Sequence, residues 1–238
     1  MFRDDSHLAT VFEVELRRST DRQQFFGCQE PWCRIEFGQR CHRLSLADMG
    51  SAAIDFKPFS KRRFHVQFQI DQAVEVLSQT PDVLNALLRG KSVAWLDCRK
   101  TPESFSPRDV VGHLMHGERT NWMPRVRMIL EHQDATVFEP FDRFGFQGLI
   151  AGKSIAESLD EFAELRRQSL QALRDLRVGE QELELPGRHP EFGRVSLSNL
   201  LSTWVVHDLG HISQIVKAMA GEYRDAVGPW RAYVSILS

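Results

Sequence analysis

Residues 196–221 read SLSNLLSTWVVHDLGHISQIVKAMAG. Leu200, Trp204, His207, His211, Ile215 and Ala218 recur there at three- and four-residue intervals. That is the period of one face of an α-helix, and it predicts a helix from about Ser196 to Ala220, stopped by Gly221. Two histidines stand on this inward stripe. Spaced four apart, they share a face with β-carbons roughly 5–6 Å from each other. Imidazoles pointing into an apolar core need polar partners, and one metal ion gripped by both would supply them.

Three further helices extend the pattern upstream. Phe68, Ile70, Ala73, Val74, Leu77, Val83, Leu84, Leu87 and Leu88 mark an amphipathic helix, with a kink or restart at Thr80-Pro81. Ser106-Pro107-Arg108-Asp109 is a capping-box start for a second helix, predicted to reach Glu131 with a kink at Pro124. Ser154-Ile155-Ala156-Glu157 opens a third, to about Arg177. Residues 133–152 read as a long Phe- and Gly-rich connection. Residues 179–195, with Pro186, Gly187, Pro190 and Gly193, read as a loop or small hairpin, and the tail through Trp230 as a short helix or strap. The fold class is therefore all-α, an antiparallel four-helix bundle over residues 66–238.

Composition narrows the function. The chain has 238 residues, 26% of them charged, and a net charge of -2. Such a balance gives no nucleic-acid or membrane signal. No run approaches the roughly 20 apolar residues of a membrane span, and the start, MFRDDSHLATVFEVELRR, lacks a signal-peptide core. A cytoplasmic protein is expected. Residues 1–65 form an N-terminal extension of uncertain structure, with a strand hint only at Val11–Leu16. GTG encodes valine and can start translation in bacteria, so a start at Val66 would explain an extension unlike the rest. Three of the four cysteines lie in it. Cys28-x4-Cys33-x7-Cys41-His42 could form a small zinc module, but its first pair is loosely spaced and no second close pair follows.

Histidine carries the stronger signal. A third donor beside His207 and His211 would come from the second helix, as His113 or His116. Three imidazoles leave coordination positions open, the arrangement of catalytic rather than structural sites. The segment His207-Asp208-Leu209-Gly210-His211 also resembles the zinc-protease H-E-x-x-H. Aspartate reaches less far than glutamate, however, and no downstream third ligand follows. Asp208 has two readings, a carboxylate orienting a ligand imidazole or a solvent-facing acid. Glu118 and Arg119 either line a pocket mouth or pair on the surface. Trp122 and Trp204 read as core or pocket wall, and Cys98 as a plain thiol in a loop. A bundle that holds metal or ligand without catalysis is the alternative to an enzyme.

Two stretches resemble the DinB-like superfamily of four-helix metalloproteins: Ser106-Pro107-Arg108-Asp109-Val110-Val111-Gly112-His113-Leu114, and Trp204 to Ile215. The resemblance spans residues 66–238 and rests on the two motifs in combination. It implies a divalent-metal site with His113 as the first ligand and His207 and His211 as the second and third. It also implies a small-molecule substrate and a homodimer, since relatives are often dimeric. Some relatives are transferases or isomerases using low-molecular-weight thiols such as bacillithiol or mycothiol; others are described only as metal-dependent hydrolases. Three imidazoles do not distinguish zinc, nickel, iron and manganese.

Overall fold

The protein is described by a computed structural model covering residues 68–237. The strand at Val11–Leu16, the Cys28, Cys33, Cys41 and His42 grouping and the start at Val66 lie outside the described residues. The elements are α1 (Ile70–Leu88), α2 (Val93–Leu96), α3 (Pro107–Thr120), α4 (Trp122–His132), α5 (Gln147–Ile150), α6 (Ile155–Asp175), α7 (Glu180–Leu183), β1 (Pro186–His189), β2 (Gly193–Ser196) and α8 (Leu197–Gly221). Two 3-10 turns, Gly228–Tyr233 and Ser235–Leu237, end the chain.

Capping chemistry starts three of the long helices. The Ser106 hydroxyl accepts from Asp109 N at 3.2 Å, and the Asp109 carboxylate accepts from Ser106 N at 3.0 Å. Ser154 with Glu157 and Ser196 with Asn199 repeat this reciprocal pairing at α6 and α8.

The two prolines act differently. The expected helix over 106–131 is divided at Asn121 into α3 and α4. Pro124 offers no N–H to the carbonyl of Thr120, and its ring crowds that oxygen, so the break falls one turn before the proline. Pro81 neither restarts nor interrupts α1, which continues through it. The carbonyl that Pro81 leaves without its helical donor, Leu77 O, accepts instead from Arg166 Nη1 at 2.8 Å.

Four-helix packing follows from the apolar stripes. α6 packs on α1 and α3, and α8 packs on α1, α3 and α4. The first two long helices therefore occupy opposite corners, and residues 89–106 cross between them. The core has two apolar layers. One gathers Leu84, Leu88, Val110, Leu114, Phe162 and Ile215; the other gathers Leu77, Trp122, Val126, Leu170, Leu201 and Trp204. Thr80, Glu118, Arg166 and Asp208, one from each of α1, α3, α6 and α8, are buried between the layers.

The 133–152 connection is more structured than its composition suggests. It contains a 3-10 turn and α5, and buries Phe138 and Phe146. Phe138 N donates to Arg188 O at 2.9 Å, tying it to the hairpin of β1 and β2. Among the described residues no helix is long and apolar enough to cross a membrane.

Candidate metal centre

The bundle brings His113 of α3 together with His207 and His211 of α8. His207 Nε2 lies 3.2 Å from His113 Nε2 and 3.1 Å from His211 Nε2. Two nitrogens on a tetrahedral zinc ion, at bond lengths near 2.0–2.1 Å, are about 3.3 Å apart. The observed spacing is thus close to that of a shared cation.

The outer nitrogens support the same geometry. His113 Nδ1 donates to the Arg143 carbonyl at 3.2 Å, and His211 Nδ1 donates to Gln214 Oε1 at 2.9 Å. Either bond requires a proton on Nδ1, which leaves the Nε2 lone pair directed at the cluster. His207 Nδ1 is buried with no hydrogen bond and lies 3.9 Å from Asp208 Oδ1. All three rings therefore turn Nδ1 toward an oxygen and Nε2 toward one another. The donor set fits a divalent cation.

Burial reinforces the neutral forms. Desolvation, then the neighbouring His207, brings His113 down to about 4, against the pull of the Arg143 carbonyl. Desolvation, then His207 and His113, brings His211 to about 3. Phe105, Phe141 and Phe146 surround the His113 ring, with centroids 5.3, 5.4 and 6.4 Å away. The edge of Trp122 meets His207 at 5.1 Å, and Trp122 stacks on Trp204. The two tryptophans are thus core and pocket wall. His116 is not in the cluster. It packs against Phe141 and Gly145, with its ring 3.4 Å from the Thr120 hydroxyl.

Several expectations need correction. On α8 Asp208 is 0% exposed, as deeply buried as Trp204 and Ile215, whereas His207 and His211 sit at the edge of the stripe. Asp208 is therefore no solvent-facing acid. Glu118 neither lines the mouth nor pairs with Arg119; it is buried against Arg166, while Arg119 pairs with Glu161 on the surface. Cys98 needs no correction: it lies in the loop after α2 as a free thiol, is buried, and donates to Trp95 O at 3.2 Å. Burial raises its thiol pKa, which suits an inert side chain. Sequence reasoning missed Arg166, Thr80, Gln214 and the Arg143 carbonyl.

Known proteins show the same architecture. YfiT from Bacillus subtilis, described as a probable metal-dependent hydrolase with an unusual four-helix bundle topology, superposes with a TM-score of 0.56. Sequence identity is 24%, over 67% of this chain and 91% of that one. At that identity the likeness establishes the fold alone. No curated protein matches the sequence. The DinB superfamily profile matches residues 77–215, more than half the chain and inclusive of all three clustered histidines. The chain belongs to the DinB superfamily.

Proposed function

We propose that His113, His207 and His211 hold one divalent cation and that the protein is a metal-dependent enzyme acting on a small molecule, as a hydrolase or a thiol-dependent S-transferase. The observation that carries this reading is the convergence of three Nε2 atoms from two helices, each ring with its Nδ1 toward an oxygen. A divalent cation bound there would polarise a substrate carbonyl or lower the pKa of a ligating water or thiol. The chain's own part is to supply neutral imidazoles, fix their tautomers and restrict water around them. The phenylalanines exclude solvent beside His113, while the His207 side chain, 24% exposed, keeps one side open. That opening favours an exchangeable site over one that only braces the fold.

The test is elemental analysis of purified protein beside the His207→Ala, His211→Ala double variant. Stoichiometric metal in the parent and none in the variant is expected, and equal content in both would end the proposal. Exchange of the bound ion by a chelator without unfolding separates a reactive site from a structural brace. A panel of esters, amides and thiol–electrophile pairs then distinguishes hydrolysis from transfer.

A further inference from the structure

We propose that Arg166 is a positioning residue for the histidine cluster, acting through Asp208 on the ring of His207. This rests on the three-histidine reading above and deepens it. Arg166 lies in the middle of α6, 1% exposed. Its Nη1 donates to Asp208 Oδ2 at 2.6 Å and to Leu77 O at 2.8 Å. Nη2 donates to Asp208 Oδ1 at 3.2 Å and to Glu118 Oε1 at 2.7 Å, and Nε donates to the same glutamate oxygen at 3.0 Å. The rings of Phe162 and Trp204 each lie 5.2 Å from its central carbon. Few orientations of a planar fork satisfy all these partners at once.

Asp208 is fixed as a result. Two Arg166 nitrogens and the Thr80 hydroxyl, 2.7 Å away, hold the carboxylate. Its Oδ1 is left facing His207 Nδ1 at 3.9 Å. That distance is an electrostatic contact rather than a hydrogen bond. It favours the tautomer with the proton on Nδ1 and the Nε2 lone pair toward His113 and His211. The Arg166 fork and the Thr80 hydroxyl are the donors an ionised carboxylate accepts from. His113 and His211 have their own acceptors in the Arg143 carbonyl and Gln214. For His207 the carboxylate gripped by Arg166 takes that place.

A purely stabilising role is the competing account. It fits the network poorly. Buried ion groups of this kind are often no more stabilising than apolar residues of equal volume.

The experiment uses the full chain with Arg166→Lys, Arg166→Met, Asp208→Asn and Thr80→Val. Helicity is checked by circular dichroism. Two quantities are read: cobalt(II) affinity from visible absorption, and the His207 tautomer from long-range proton–nitrogen NMR of the metal-free protein. Asp208→Asn and folded Arg166→Met are expected to bind cobalt about 10- to 100-fold more weakly, the loss typical of groups that orient a metal ligand. Both should also shift His207 from the Nδ1–H form. Arg166→Lys, which keeps charge but not the fork, should fall between them and the parent; Thr80→Val should lose a few-fold. Parental cobalt affinity and an unchanged His207 spectrum in folded Asp208→Asn, or in folded Arg166→Met, would overturn the proposal. If Arg166→Met does not fold, Arg166→Lys decides for the guanidinium and Asp208→Asn for the carboxylate: parental affinity and an unchanged His207 spectrum in either overturns the proposal. A parent that binds no cobalt would remove the metal reading, yet the tautomer of metal-free His207 would still decide whether Arg166 orients that ring.

Discussion

His113 Nε2 and His207 Nε2 stand 3.2 Å apart, so protonating both rings would bring two cations into contact. The pH dependence of stability follows. His113 and His211 titrate at about 4 and about 3 in the folded protein, against an ordinary value near 6.5. Between 6.5 and these values the unfolded chain binds protons that the folded chain refuses. Stability is therefore full above pH 6.5 and falls as pH drops toward 4, by about 1.4 kcal/mol per pH unit for each histidine. Urea unfolding of metal-free protein from pH 7.5 to 4.5 measures it. In the His113→Ala, His211→Ala variant the fall should be much shallower.

The neighbouring histidines of α3 should behave oppositely. His113→Ala removes one of the converging nitrogens and should weaken cobalt or zinc binding by more than about 100-fold, beyond the loss from removing an orienting partner. His116→Ala should leave affinity within a few-fold of the parent, because that ring faces Phe141 and Gly145. Isothermal titration distinguishes them.

Two glycines offer a matched pair. A β-carbon at Gly112 would lie 2.7 Å from Ile150 and 2.8 Å from Phe146, in the segment that also carries the Arg143 carbonyl to His113. At Gly187 it would meet Phe138 at 2.7 Å and Ile129 at 2.8 Å, under the hairpin. Each alanine should cost about 1–3 kcal/mol by overpacking. Only Gly112→Ala should also lower metal affinity, since only there does the displaced segment accept the His113 hydrogen bond.

The core can be probed without touching polar groups. Leu84 is fully buried in the layer with Leu88, Val110 and Phe162. Leu84→Ala should destabilise by about 2–5 kcal/mol. Metal affinity of the folded fraction should be unchanged, and chemical denaturation followed by titration tests both.

Much of the fold is legible because its signals are local. Ser106 with Asp109 and Ser154 with Glu157 announce helix starts within four residues, and the apolar stripes announce which faces turn inward. The His207 and His211 pair is equally local. The buried network is harder to read, because its meaning depends on contacts between distant segments. Arg166 stands beside Arg167 in a run that looks solvated, yet Arg167 turns out to Glu164 while Arg166 turns in. The available signal was its place in the series Phe162, Arg166, Leu170, four residues from an apolar neighbour on each side. Glu118 in Leu114, Glu118, Trp122 and Asp208 in Trp204, Asp208, Ile212 show the same interruption. The restart expected at Pro81 depended likewise on a distant donor: α1 runs on through the proline, and the freed Leu77 carbonyl accepts from Arg166 of α6.

The partners of Arg166 come from chain positions 89, 48 and 42 residues away. No single helix hairpin completes the set. A half-assembled bundle that buries the guanidinium leaves a cation short of acceptors, and one that solvates it must open both apolar layers. The four long helices are consequently expected to exchange their amide hydrogens as one cooperative unit around this level, with little independent opening of α1 despite its proline.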